Sequence, residues 1–248
     1  MKKNLFIILC GYLFILPVMA QSDDNEVIID ESCSLVISNG VSYNFIFNWK
    51  KLPTESHWTG CGFAFSDLRN LTDANLNLSR SYSVVLNLGD FILPFNRHWL
   101  FAVGWGFDWS RYHFRGNIAL QETGGITQFV PDPENRDYQD SKLLVYYATI
   151  PLLLEYQTKV KNNTFFIYGG VEGLIKLYSK SRAEIKTLGG IQKTDYRDLN
   201  LLPLNFRFTL RAGFDDFSIF GYYQPYSPFE KDKGPEVNPC GLGLMLNF

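Results

Sequence analysis

Six ionisable residues stand where period-two patterning turns them away from the apolar side of their segments. Asp108, Glu155 and Glu172 are acidic; Lys176, Arg207 and Arg211 are basic. Charges on an enclosed face are tolerated only when paired and hydrogen-bonded. Such a set can line a selective path or ligand site, or it can form a salt-bridged plug. Three histidines, His57, His98 and His113, offer general-base chemistry, and Ser110 precedes His113 by three residues. Acyl transfer needs a nucleophilic serine with a base beside it, whereas strand geometry points Ser110 and His113 to opposite faces. No Gly-x-Ser-x-Gly, His-Glu-x-x-His or phosphate-loop pattern occurs. The expectation is therefore no catalytic residues, no metal and no cofactor. The stretch from Asp132 to Asp140 is rich in carboxylates, but its spacing is not that of a calcium loop. A solvated surface loop is expected there.

Eight strand-like segments would position these side chains. The first, Trp58 to Ser66, alternates Cys61, Phe63 and Phe65 with Gly60, Gly62 and Ala64. The second, Ser81 to Phe91, sets Tyr82, Val84, Leu86 and Leu88 against Ser83, Asn87 and Gly89. In the third, Trp99, Phe101, Val103, Trp105, Phe107 and Trp109 oppose Ala102, Gly104, Gly106, Asp108 and Ser110. Large residues on one face and small ones on the other suit a strand with lipid outside and a tight lumen inside. The fourth, Leu143 to Gln157, carries Glu155 inward and Pro151, which removes a ladder donor and so predicts a bulge. The fifth, Phe165 to Tyr178, turns Tyr168, Gly170, Glu172 and Lys176 inward. The sixth, Leu202 to Phe214, does the same with Asn205, Arg207, Thr209, Arg211 and Gly213. The seventh, Phe217 to Gln224, is blurred by Phe220 and Tyr222.

The eighth ends the chain, with Leu242, Leu244, Leu246 and Phe248 on one face and Gly241, Gly243, Met245 and Asn247 on the other. A terminal aromatic on such a strand reads as an assembly signal, Phe248. Short links (Ile92–Arg97, Lys159–Asn163, Asp215–Asp216) alternate with long ones, of which the longest is Arg115–Ser141 and the next Ser179–Asn200. That alternation predicts an all-β, eight-stranded antiparallel transmembrane up-and-down β-barrel, with short periplasmic turns, longer extracellular loops and both termini periplasmic. A spanning sheet must close because no strand edge can stay unpaired in lipid. Eight strands enclose a lumen filled by side chains, which favours the plug over a conducting path. The expected partners are the bilayer of a Gram-negative outer membrane, the barrel-assembly machinery and an envelope protein met by loops or lead-in.

Residues 1–20 read as a signal peptide: Lys2 and Lys3, an apolar run from Leu5 to Leu16, and a small residue, Ala20, ahead of Gln21. Leu9 stands before Cys10, which argues against lipidation. Residues 21–57 form a polar segment read as periplasmic, and 58–248 form the barrel domain. Aromatic residues make up 16%, yet mean hydropathy is −0.08, a combination that excludes a helical membrane protein. A net charge of −2 gives no electrostatic case for nucleic acid. Cys33, Cys61 and Cys240 would remain after cleavage, without zinc spacing. Cys61 and Cys240 fall on adjacent first and last strands at different heights, which disfavours a disulfide.

The chain resembles the outer-membrane β-barrel proteins of Bacteroidetes, including the PorT-like group. The resemblance rests on Trp58–Phe63, Trp105–Phe114, Ala148–Tyr156 and Gly234–Pro239, and covers about residues 57 to 248. It implies an eight-stranded outer-membrane barrel and accommodates the Ile150–Pro151 pair. It implies no activity, although PorT itself is associated with type IX secretion. The expected role is non-enzymatic: structural, envelope-assembly or partner-binding. The alternatives are an outer-membrane lipid A acylase or deacylase, an accessory part of type IX secretion, and a soluble lipocalin-like barrel.

Overall fold

The computed structural model describes residues 31–36, 42–47 and 56–248 other than 73, 133, 135, 137, 188, 189 and 198. The expected signal peptide and most of the polar lead-in lie outside the described residues. The chain divides into two units, Met1–Pro53 and Thr54–Phe248. In the first, Glu31–Val36 and Ser42–Phe47 pair antiparallel.

The second unit is built on eight long strands: β1 (Gly60–Arg69), β2 (Tyr82–Pro94), β3 (Trp99–Arg115), β4 (Asp140–Val160), β5 (Asn163–Thr187), β6 (Leu204–Phe214), β7 (Phe217–Tyr223) and β8 (Asn238–Asn247). Each pairs antiparallel with the next, and β8 returns to pair with β1 from Asn238↔Arg69 to Asn247↔Gly60. The result is a closed up-and-down barrel without a free edge in its wall. The Thr59 hydroxyl donates to the Phe248 carbonyl, and the Phe248 amide donates to Thr59 O at 3.2 Å, so the seam continues past the ladder.

The links at one rim are tight. β4 and β5 are joined by Lys161-Asn162 and β6 and β7 by Asp215-Asp216, with positive φ at Lys161 (59°) and Asp215 (44°). The Asp215 carboxylate accepts from the Thr164 amide at 2.7 Å, which holds neighbouring hairpins together. The other rim is elaborate, and it is more ordered than the sequence led us to expect. Ile118–Thr123 and Ile126–Pro131 form a separate hairpin around Gly124-Gly125, both at positive φ. Gly190–Tyr196 pairs with the far end of β5, from Ser181 to Thr187. β3, β4 and β5 thus run past the points where their alternation fades.

The faces follow the alternation of large and small residues. Phe63, Phe65, Trp105, Leu152, Leu210 and Leu244 are exposed on the outer wall, while Ala64, Gly104, Leu153, Arg211 and Met245 are buried. Trp99 and Tyr156 form an aromatic row at the short-turn rim, and Trp109, Tyr146 and Tyr178 a second one nearer the loops. Ten residues separate Trp99 from Trp109. At ~3.4 Å per residue and a tilt of ~40° they bound an apolar belt about 26 Å high, close to that of membrane barrels.

Two local expectations fail. Register shifts between Asn87 and Gly89, so Leu88 is bulged and Gly89 sits opposite outward Trp105 rather than facing the lumen. A Cβ at Gly89 would lie 2.9 Å from the Trp105 indole nitrogen. The bulge expected at Pro151 is absent. Its ladder with β5 is unbroken, and with β3 it keeps register from Val103↔Leu152 to Gly106↔Thr149, omitting the pairs between. The missing donor is absorbed by a short unpaired stretch. Strand β7 is explained by lumen packing: Phe220 and Tyr222 point in and are buried.

Small inward residues set how closely the walls approach. A side chain at Gly243 would run into the Phe63 carbonyl and the Ala64 backbone across the seam. Because backbone cannot rotate away, Gly243→Val is expected to destabilise the barrel by at least about 1–3 kcal/mol. Unheated samples on detergent gels should lose the compact folded band at lower temperature than wild type; an unchanged transition would refute this account of the seam.

Candidate functional site

The lumen is filled in three layers. The middle layer carries the charges. Glu172 on β5 and Arg207 on β6 are register partners, and Arg207 Nε donates to Glu172 Oε2 at 2.6 Å. Arg207 Nη1 reaches across to Asp108 Oδ2 at 2.5 Å, and the Ser110 hydroxyl donates to the other Asp108 oxygen at 2.6 Å. The guanidinium lies 4.5 Å from the centre of the Tyr222 ring. Beside it the hydroxyls of Ser66, Ser83 and Tyr222 form a closed set at 2.8–3.1 Å. Every charged member is almost completely buried, where each carboxylate needs its cation.

The layer at the short-turn rim is assembled around a residue that strand patterning alone undervalues. Trp58, just before β1, is 1% exposed and packs with Leu100, Ala102, Leu153, Phe166 and Tyr168. Gly104 makes room for it: a Cβ there would lie 2.5 Å from the indole nitrogen. Arg211 sits between the rings of Tyr168 (4.7 Å) and Trp58 (5.3 Å), and its Nη1 donates to the carbonyls of His57 and Trp58 and to Asn247. Glu155 is held by His57: Nδ1 lies 2.6 Å from Oε1, and the His57 ring stacks on Phe166 at 4.1 Å. His57, one of the three histidines considered for general-base chemistry, is thus the partner of a lumen carboxylate. The small-residue face of β3 was the one signal that something large enters there.

The six predicted lumen charges therefore divide. Asp108, Glu172 and Arg207 form one cluster. Arg211 and Glu155 lie near the short-turn rim with different partners. Lys176 joins neither; its ammonium donates to the Leu201 carbonyl toward the loops. The third layer, at that end, is apolar and includes Leu68, Tyr112, Phe114, Leu143, Leu199 and Phe229.

The histidine and serine candidates are not brought together. His98 Nδ1 lies 2.9 Å from the Gln157 carbonyl and stacks on Tyr156. His113 Nε2 lies 2.7 Å from Asp140, while Ser110 faces the lumen on Asp108. Cys61 and Cys240 are free thiols, opposite Leu246 and Asp67 respectively, far apart along the seam. In the acidic loop, Asp132 accepts from Arg136 Nε at 3.0 Å and Nη2 at 3.2 Å. That hydrogen bond holds its carboxyl below the usual range. Among the described residues no group of three or more His, Cys, Asp or Glu side chains is arranged to hold a metal.

Two measurements check this geometry. Arg207→Met leaves Asp108 and Glu172 buried without a cation and is expected to cost about 3–5 kcal/mol in denaturant unfolding. Adding Asp108→Asn and Glu172→Gln should recover most of the loss; a triple variant as unstable as the single one would contradict pairing. The second concerns the loop hairpin, where hydrogen bonds from Arg182, then Lys180, hold Asp195 well below the usual carboxylate range. Its folded-state value lies below the unfolded one, so the stabilisation is present above ~pH 4 and fades only as pH falls through the folded value. Amide exchange across Gly190–Tyr196 should stay protected at pH 4 in wild type and lose that protection in Asp195→Asn.

Residues 58–227 match a family model described as outer membrane protein beta-barrel domain. Two solved structures of Ail, the attachment invasion locus protein of Yersinia pestis, align with the chain at 15% identity over 76% of its length. One is in complex with the heparin analogue sucrose octasulfate, with a TM-score of 0.34 and 96% of that chain covered. For the other the TM-score is 0.28, with 94% covered. No curated protein matches.

Proposed function

The chain belongs to the outer-membrane β-barrel domain family, and from that membership we propose that it is a non-conducting, non-enzymatic barrel that presents a folded loop rim to an envelope or external partner. The observation that carries this reading is the filled lumen. Trp58 and Tyr168 close one end, the Asp108–Arg207–Glu172 cluster occupies the middle, and Phe114, Leu143 and Phe229 pack the other. A filled lumen suits an anchor more than a pore.

In this reading the short-turn rim and both termini are periplasmic and the long loops extracellular. Residues 1–20 are a leader, residues 21–57 a periplasmic segment, and Phe248 a signal to the barrel-assembly machinery. Non-enzymatic function is supported by the separation of Ser110 from His113 and by the engagement of His57 with Glu155. The narrower kinship with PorT-like barrels of Bacteroidetes, and with it a part in type IX secretion, rests on motifs such as Ala148–Tyr156 and is proposed on that basis alone.

Purified full-length protein in planar bilayers should give no unitary conductance steps. An epitope inserted at Gly124-Gly125 should be read by antibody on intact cells. Steady ion-selective steps would overturn the anchor reading, and an epitope detected only after lysis would reverse the orientation.

A further inference from the structure

Three successive register rows on the outer wall of β3, β4 and β5 change character as they approach the loops. The first is Trp109–Tyr146–Tyr178, the aromatic edge of the apolar belt. The second is Arg111–Leu144–Lys180, and the third His113–Lys142–Arg182. The register, with a one-residue bulge between Lys176 and Tyr178, turns all nine to the outer side of the sheet; His113 and Lys180 are buried there, while Arg111 and Arg182 are partly exposed. Arg80, on the link before β2, reaches the same place. Strand geometry puts Arg111 about 5 Å beyond Trp109 along the barrel axis, where lipid headgroups begin if the belt lies in hydrocarbon.

The cations there outnumber their acids. Asp140 alone gathers Arg80 (3.4 Å), Arg111 (3.5 Å), His113 (2.7 Å) and Lys142. Asp195 gathers Lys180 (2.5 Å) and Arg182 (2.7 Å). Five permanent cations thus share two carboxylates; the neighbouring Lys193–Glu184 pair, at 3.3 Å, is balanced. Arg111 is further held over the Tyr82 ring at 5.8 Å. The two carboxylates hold the cations in place without neutralising them. Pre-positioned guanidinium and ammonium groups in excess, directly above an aromatic row, suit a phosphate ester whose acyl chains lie along the belt.

We propose that this patch binds the phosphorylated headgroup of a lipid in the leaflet that meets the loop rim. The proposal rests on the outer-membrane reading only in placing the belt in hydrocarbon, and it does not depend on whether the lumen conducts.

The test uses full-length protein in detergent and follows binding of lipid A by native mass spectrometry. Lipid A with its phosphates hydrolysed off and inorganic phosphate serve as comparison probes. Wild type should hold lipid A at least ~10-fold more tightly than the dephosphorylated lipid, the scale of a few charge-assisted contacts. The combined variant Arg111→Gln, Lys142→Gln, Arg182→Gln should lose that preference, whereas the matching Arg→Lys pair at 111 and 182 should keep most of it. Lys231→Gln with Lys233→Gln, in the loop between β7 and β8, should change nothing. Folded-band assays on unheated gels show whether each variant is intact. Equal affinity for phosphorylated and dephosphorylated lipid, or a folded triple-Gln variant with wild-type binding, would overturn the proposal. Displacement of lipid A by millimolar inorganic phosphate would also overturn it, since the site would then take a free anion.

Discussion

The pairing of β8 with β1 is the constraint on which the rest depends. In hydrocarbon an unpaired backbone amide or carbonyl costs several kcal/mol, so a spanning sheet is viable only when its last strand finds its first. Ten register pairs, from Asn238↔Arg69 to Asn247↔Gly60, provide that closure. Closure at eight strands then fixes the internal width, and the internal width dictates residue size. Gly243, Gly62 and Ala64 sit where the walls are nearest, while Phe220, Tyr222 and Met245 fill what remains. The glycines of the closing strand are therefore a consequence of ring size more than of local turn chemistry.

The polar layer follows from the same geometry. A lumen this narrow cannot hydrate isolated charges, so each ionised group must find a partner from another strand. Arg207 does this with two carboxylates from β3 and β5, using separate nitrogens of one planar fork. Lysine offers one charge centre and could not satisfy both in that geometry. The arrangement links three walls of the barrel, so it specifies how they pack as well as balancing charge. At the short-turn rim the solution differs: Arg211 is held by ring faces and carbonyls instead of a carboxylate. Glu155 instead draws in His57 from outside the wall.

Much of this was legible because lipid on one side and a tight lumen on the other impose strict alternation. Strand β3 shows it from Trp99 to Ser110, and β6 from Leu204 to Phe214. The short links were legible for the same reason, since they begin where alternation stops. What could not be read falls into three physical kinds. Parity gives a face but not a height. In tilted strands a register row runs obliquely round the barrel, so Lys176, in the row of Asp108 through Tyr147, reaches the Leu201 carbonyl instead of the acid. A one-residue bulge reverses parity without any compositional mark, as at Leu88 before Gly89. Beyond the belt the outer face no longer meets lipid, and segments such as Ser181–Thr187 keep their strand pairing while losing the large-apolar alternation that would announce it.

Inside the belt the sequence is constrained twice, by lipid outside and by packing inside, and its charges are engaged by partners within the barrel. Past the second aromatic row the lipid constraint lapses while the apolar layer around Tyr112, Phe114 and Leu143 still packs the inside, and the chain does not become loose. β3, β4 and β5 continue upward, a separate hairpin forms at Ile118–Pro131, and carboxylates such as Asp140 each gather several cations. Ordered backbone beyond what the membrane requires, carrying charge in excess of internal balance, costs conformational entropy that the apolar belt does not repay. Such order persists where side chains brace one another, as Arg182 and Lys180 do around Asp195. In the middle of the lumen Arg207 is balanced by two carboxylates, whereas at the rim five cations share Asp140 and Asp195.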